Sequence, residues 1–323
     1  MTRILSGIQP SGSLHIGNYL AMMKPMIALQ DDNELYCFIV NYHALTSLSD
    51  PEKLKKNTMD AAIDFLALGL DPEKANFWIQ SDLPEVQELT WILSCNTSLG
   101  LLERSHSYKD KIAKGLTPNA GLYTYPILMA ADILLFQAEK VPVGKDQKQH
   151  LEITRDIASS FNANFGETFV LPEPVIEDNL AVIPGIDGQK MSKSYDNTIC
   201  MFEEEKKMRK RIMKIVTDSK GVDEPKDPDK CTVFSLYKLF ASSEQIDSLR
   251  NAYLAGGMGY GDAKQLLFEV IRDYFKPFKE KRDQLAADPQ KVKDIMLMGA
   301  AKTRIKARET LSLVREKVGL KYF

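Results

Sequence analysis

Cysteine is scarce in this chain, and its four copies (Cys37, Cys95, Cys200 and Cys231) lie too far apart for a C-x-x-C pair or a Cys/His ligand spacing. Such scatter supports no structural zinc, no iron–sulfur cluster and no disulfide framework, and it suits a reducing compartment. There is no run of about 18 apolar residues, so no transmembrane helix and no membrane partner are expected. The amino terminus lacks the basic, apolar and cleavage-site succession of a secretory signal. The chain is therefore expected to be soluble, untargeted and cytoplasmic. A surplus of one charge is missing too: the formal net charge is -2 at pH 7, so any contact with nucleic acid must use local basic patches. Asn96-Thr97-Ser98 matches a glycosylation acceptor, but with no secretory context it reads as a chance match. No internal repeat or low-complexity tract is found.

What is present is an alternation. At 323 residues the length allows about two domains, each able to bury its own core. Up to about residue 185, short apolar runs alternate with helical patterns, as in βα units. Strands are predicted at Arg3–Gly7, Leu35–Val40, Ala75–Gln80 and Val141–Val143. Helices are predicted at Ile16–Leu29, Pro51–Leu68, Pro84–Leu93 and Gln149–Phe161. Asp50-Pro51 supplies an N-cap followed by proline at the first helical position, and Gly69 stops that helix. The fold class is α/β: a doubly wound parallel-sheet (Rossmann-like) nucleotide-binding domain, with ligands at the carboxyl ends of the strands.

After Ser194 the pattern is almost purely helical, giving an appended all-α region. Predicted helices are Glu203–Thr217, Val233–Phe240, Glu244–Leu254, Asp262–Gln284 and a last one from about Asp294 to Val318, with Gly319 as C-cap. Met208, Ile212 and Ile215 form a core-facing stripe. Lys207, Lys210, Arg211 and Lys214 run beside it, either as a solvated face paired with Glu203–Glu205 or as an RNA contact. Gly256–Gly261 reads as a loop between helices, because no strand precedes it. The expected division is 1–189, a loop and linker at 190–200, helices at 201–290, and a terminal helix at 291–323 packing back toward the first domain.

Two short motifs carry the chemistry. Pro10-Ser11-Gly12-Ser13-Leu14-His15-Ile16-Gly17-Asn18 follows the first strand and opens a helix. Gly12 admits a ligand close to the backbone, and His15 and Asn18 present polar groups at a helix start that already favours phosphate. Gly17 leaves room for a base or ribose. The second motif, Lys190-Met191-Ser192-Lys193-Ser194, offers two lysines and two hydroxyls on a tether beginning at Pro184-Gly185, suited to a polyphosphate leaving group. A lone helical histidine is usually a satisfied structural residue, and a basic loop is usually a solvated one. The ordered pair shifts both readings toward nucleotide binding.

These residues resemble the signatures of class I aminoacyl-tRNA synthetases: His15-Ile16-Gly17-Asn18 is similar to HIGH, and Lys190–Ser194 is identical to KMSKS. More narrowly the chain resembles the bacterial tryptophanyl-tRNA synthetase family. Ser6–Gly12, Tyr125–Leu134, Val141–His150, Val216-Thr217-Asp218-Ser219 and the alanine- and arginine-rich terminal helix support this nearly end to end. The resemblance implies a tryptophan–tRNA ligase that forms tryptophanyl-adenylate from L-tryptophan and ATP, then esterifies the terminal adenosine of tRNA(Trp). It also implies a homodimer, a helical domain that reads the anticodon, and Mg2+ arriving on the ATP phosphates with no metal held by the protein.

By the same resemblance, Lys111, Lys190, Lys193, His15 and Asn18 would act on the reacting phosphates. ATP would lie along Gln9, Pro10, Ser11, His15, Gly17, Asn18 and Lys145, with Gly144 and Asp146 at the ribose and Ile183 at the adenine. Lys190, Met191, Ser192, Lys193 and Ser194 would complete that half. Leu5, Gly7, Met129, Ile133, Val141 and Val143 would line an indole slot, with Tyr125 and Gln147 at the ammonium group and His43 nearby. An indole has one N–H donor and no acceptor. Asp132, in an otherwise apolar run, is the acceptor such a slot needs, and a buried carboxylate there calls for partners. Departures from the common bacterial pattern are Leu5 for phenylalanine, Asn41-Tyr42 for Asp-Gln, Ser107 for glutamine, Lys145 for an acidic residue, and His15 for threonine.

Three other readings compete. A tyrosyl-tRNA synthetase shares both signatures, but a phenol both donates and accepts, so its pocket needs more polar partners than surround Asp132. A small-molecule nucleotidyltransferase has no need of the long helical region after Ser194. A non-catalytic RNA-binding paralogue would have no reason to retain both signature lysines and Asp132.

Overall fold

In the computed structural model the described residues are 1–10, 12, 14–104, 119–144, 148–175 and 183–322. Five parallel strands, β1 (Arg3–Ile8), β2 (Glu34–Ile39), β3 (Asn76–Ile79), β4 (Lys140–Pro142) and β5 (Glu173–Val175), form one sheet in the order β3-β2-β1-β4-β5. The chain winds outward from β1 to β2 and β3, then crosses to the other side of β1 for β4. That reversal opens a crevice between β1 and β4 at their carboxyl ends, where doubly wound sheets bind ligands.

Strand periodicity divides the core. On β2, Leu35, Cys37 and Ile39 face one apolar layer while Tyr36 and Phe38 face the other, the two-residue alternation of a sheet covered on both sides. The first layer includes helix Pro51–Ala67 and runs without a break into the carboxyl-terminal helices through Met208, Phe234, Ile271 and Phe275. Tyr19, on the first helix, touches Phe275 edge-on at 5.2 Å and hydrogen-bonds the Tyr274 hydroxyl at 2.8 Å. The second layer is closed by helices Glu85–Cys95, Ala120–Leu135 and Lys148–Phe165.

The terminal helix, Pro289–Lys317, covers the edge strand β3. Gly299 makes this possible, since a Cβ there would overlap the Phe77 carbonyl, so only glycine lets helix and strand backbones meet so closely. Arg304 and Arg308 clamp the same helix to Glu85, which is 9% exposed, at 3.2 and 3.0 Å.

Several elements differ from expectation. The first helix runs Ile16–Asn18 and Lys24–Ala28 with a π-helical stretch, Tyr19–Met23, between. The helix expected over 203–217 is only Glu205–Met213, because Val216 turns away to donate to Ile186 O at 2.8 Å. The last helix begins earlier than Asp294, where the Asp288 side chain accepts from Lys291 N and Pro289 fills the first turn. β5 was not expected; it has three residues, one of them Pro174. Of the basic stripe, Arg211 bonds the Asp196 carboxylate at 3.0 Å and Lys207 pairs with Glu204 at 3.3 Å. Gly256 ends helix Ser243–Ala255 with φ +77°, and the next helix, Tyr260–Ala287, starts directly after the loop. Lys226, 2% exposed, donates to the carbonyls of Gly221, Val222 and Glu224 and sits 5.2 Å from the Tyr260 ring centre. Asp218 accepts from the Tyr260 hydroxyl nearby, at 2.8 Å. Among the described residues no helix is long and apolar enough to cross a membrane.

Candidate active site

At the crevice lies a cavity of about 660 Å³, within the range of small-molecule sites. Its wall is drawn from the ends of three strands and from helix Ala120–Leu135. Leu5, Gly7, His43, Tyr125, Met129, Asp132, Ile133, Val141 and Val143 all line it, together with Gln9 and Gly144. Gly7 is required by close packing: a Cβ there would sit 2.8 Å from Phe38 O and 2.9 Å from Val40 Cγ1. Further lining residues not picked out from sequence include Phe38, Val40, Met22 and His150. Phe38 is held flat against Trp78 at 4.9 Å between ring centres, and His150 hydrogen-bonds the Tyr125 hydroxyl.

Asp132 is 3% exposed and is the polar focus of this largely apolar space. Gln80 Nε2 donates to its two carboxylate oxygens at 2.9 and 2.8 Å, and His43 Nε2 faces Oδ2 at 2.8 Å. Opposite a carboxylate, that ring nitrogen carries the proton. Burial pushes the Asp132 carboxyl above the usual carboxylate range, and the hydrogen bonds from His43 and Gln80 pull against this. Gln80 was not singled out from sequence. Nothing local marks it: it directly follows β3 and lies outside both signature motifs.

The nucleotide half is built differently. His15 is the N-cap of the first helix: its Nδ1 accepts from Asn18 N at 3.3 Å, and Asn18 Oδ1 accepts from His15 N at 3.1 Å. The two signature residues thus close a reciprocal capping box on each other. Burial and then the Lys193 charge push the His15 imidazole down to about 4, so it is neutral at pH 7. The second signature packs directly on the first. Lys193 Nζ donates to Gly12 O at 3.1 Å, and Ile16 N to Ile199 O at 3.0 Å. A Cβ on Gly17 would lie 3.4 Å from Met191 Sδ. Burial lowers the Lys193 ammonium below the usual lysine range.

The loop itself is organised by Asn197, 1% exposed, another residue the motifs did not reveal. Its side chain accepts from Ser192 N at 2.7 Å and donates to Asp187 Oδ1 at 2.8 Å and Lys190 O at 3.0 Å. Met191 N donates to Ile183 O at 2.8 Å, and Ser192 Oγ accepts from Ser194 N at 3.3 Å. Pro10 is buried, and its carbonyl accepts from Asn57. Ser11, Lys111, Lys145, Asp146 and Gln147 lie outside the described residues, as does Ser107. Among the described residues no group of three or more His, Cys, Asp or Glu side chains is arranged to hold a metal.

A cation-bearing loop against a helix start, beside an apolar cavity with a buried acceptor, can activate a carboxylate on a nucleoside triphosphate by positioning and charge stabilisation. Residues 1–276 match the family profile described as tRNA synthetases class I (W and Y), and the chain belongs to that family. Within it, the similarity is to the tryptophan branch. A tryptophan–tRNA ligase of Rhodopirellula baltica is 52% identical over 99% of this chain and 100% of its own length. One from Fusobacterium nucleatum is 53% identical over 99% and 98%. The crystal structure of tryptophanyl-tRNA synthetase from Campylobacter jejuni, complexed with ADP and tryptophan, superposes with a TM-score of 0.96 at 51% identity, covering 98% of this chain and 100% of that one.

Proposed function

We propose that this chain is a tryptophan–tRNA ligase. The observation that carries the reading is Asp132, a buried carboxylate that lines a largely apolar cavity beside Leu5, Met129, Ile133, Val141 and Val143. In the first step the tryptophan carboxylate attacks the α-phosphate of ATP, an α-phosphate oxygen bond to the leaving group breaks, and pyrophosphate departs. In the second, a ribose hydroxyl of the terminal tRNA adenosine attacks the mixed anhydride, releasing AMP. The first nucleophile is already an anion, so no strong base is needed. The neutral His15, the helix start and the lysines of 190–194 would stabilise charge building on the phosphates. Mg2+ is part of the substrate, entering on ATP.

Asp132 would accept the indole N–H, with Leu5, Met129, Ile133, Val141 and Val143 packing the ring and Tyr125 and Gln147 at the ammonium group. Lys111, Gly144, Lys145, Asp146 and Ile183 would belong to the nucleotide. The helices beyond residue 200 would read the anticodon, with the terminal helix braced on the catalytic part. Two copies would pair through the nucleotide-binding part, where Leu45, Trp91 and Leu99 expose apolar surface; sedimentation of the full chain at a monomer mass would refute that. ATP, tryptophan and tRNA are supplied together in the cytoplasm.

The reading is tested by amino-acid-dependent ATP–pyrophosphate exchange, followed by charging of tRNA(Trp) transcript. Exchange with tryptophan and not tyrosine is expected. Exchange with tyrosine alone would move the chain to the other branch of its family.

A further inference from the structure

We infer that Gln80 is a positioning residue for amino-acid selection: it holds the Asp132 carboxylate as a pure acceptor facing the slot, without touching the amino acid. This rests on the reading that Asp132 takes the indole N–H. Gln80 is 1% exposed and is not part of the cavity wall. Its amide cannot turn over, because Oε1 accepts from Tyr42 N at 3.0 Å while Nε2 donates to both oxygens of Asp132. A flipped amide would aim an oxygen at a carboxylate and an NH2 group at an N–H. Both contacts would be repulsive.

The lock extends further. Asn41 Nδ2 donates to Ser81 Oγ at 2.8 Å, and Ser81 N donates to Asn41 Oδ1 at 3.1 Å. The turn after β2 that carries His43 is therefore stitched to the end of β3 that carries Gln80. Both donors to Asp132 belong to one frame, joined by three hydrogen bonds that involve neither signature motif. Supplied with donors from behind, the carboxylate presents its remaining lone pairs to a donor from the cavity. A ligand whose buried atom is not a donor leaves that acceptor unpaired, which a site of this type penalises heavily.

The test compares tryptophan with β-(benzothiophen-3-yl)alanine, which has the same shape with sulfur in place of N–H, in ATP–pyrophosphate exchange. Two variants of the full chain are used. Gln80→Met removes donor and acceptor at similar volume, and Gln80→Asn keeps both groups but draws them back from Asp132 by one methylene. Wild type is expected to prefer tryptophan by roughly 10⁴-fold in kcat/KM. Both variants are expected to lose at least about tenfold of that preference through a raised KM for tryptophan, with kcat and the KM for ATP within about threefold of wild type. Undiminished preference in both variants overturns the inference while leaving Asp132 as the reader. Equal use of both amino acids by wild type overturns the Asp132 reading itself. Loss of ATP binding along with tryptophan binding in both variants would make Gln80 merely structural, and would also overturn it.

Discussion

The amino-acid half of the site and the nucleotide half sit side by side but are held by different means. The slot around Asp132 is walled by strand ends and the long helix Ala120–Leu135, and its one buried charge is fixed by side chains that are themselves hydrogen-bonded. The nucleotide half is a helix tip and a loop that meet at two backbone oxygens, Gly12 O accepting from Lys193 Nζ and Ile199 O accepting from Ile16 N. Rigid side-chain networks suit a task of discrimination, because an unpaired buried group is costly. A loop docked on a neighbouring turn suits a task in which charge must be followed during transfer and product released. Selectivity and rate should therefore respond to different substitutions.

The largest effect is expected at Lys193. Lys193→Ala should lower kcat for pyrophosphate exchange by about 10²–10³, the range for losing one transition-state donor, with the KM for tryptophan within about twofold. An equal change in both parameters would join the two halves.

Asn197→Ala comes next. It removes the shared partner of Ser192 N, Asp187 Oδ1 and Lys190 O, and each such hydrogen bond is worth about 0.5–1.5 kcal/mol. About a tenfold loss in kcat/KM for ATP is expected, again with little change for tryptophan; steady-state kinetics with each substrate varied in turn would show it.

The smallest is a pH effect. The His15 imidazole ordinarily titrates near 6.5 and is pushed down to about 4 in the folded chain. Between those values the unfolded chain binds more protons, so acidification through that window removes stability, whereas above it His15 is neutral in both states. His15→Asn keeps a capping acceptor without the titration. Its melting temperature should fall less than that of wild type between pH 6.5 and 4.5, and parallel curves would refute the assignment.

The winding of the sheet was legible because β1 to β3 are apolar runs bounded by clear helix signals such as Asp50-Pro51. The same signal stands at Asp288-Pro289, and the last helix begins there, ahead of the start expected near Asp294. β5 carries no pattern at all: three residues, a proline among them, and exposure at the sheet edge. Asp132 could be found because a carboxylate among apolar residues is conspicuous in the sequence itself. Gln80 could not, since its meaning comes from a residue 52 positions away, and Asn197 acquires its role only when the loop folds around it. Lys111 and Gln147, expected from family resemblance at the phosphates and the ammonium group, lie outside the described residues.

Separation of the two halves is tested most directly by Asp132→Asn in pyrophosphate exchange with tryptophan and ATP varied independently. The substitution keeps the volume and removes the charge. The KM for tryptophan should rise by about 10–100-fold, the span of a hydrogen bond to a charged group, while the KM for ATP stays within about twofold. Unchanged tryptophan kinetics, or matching losses for both substrates, would contradict it.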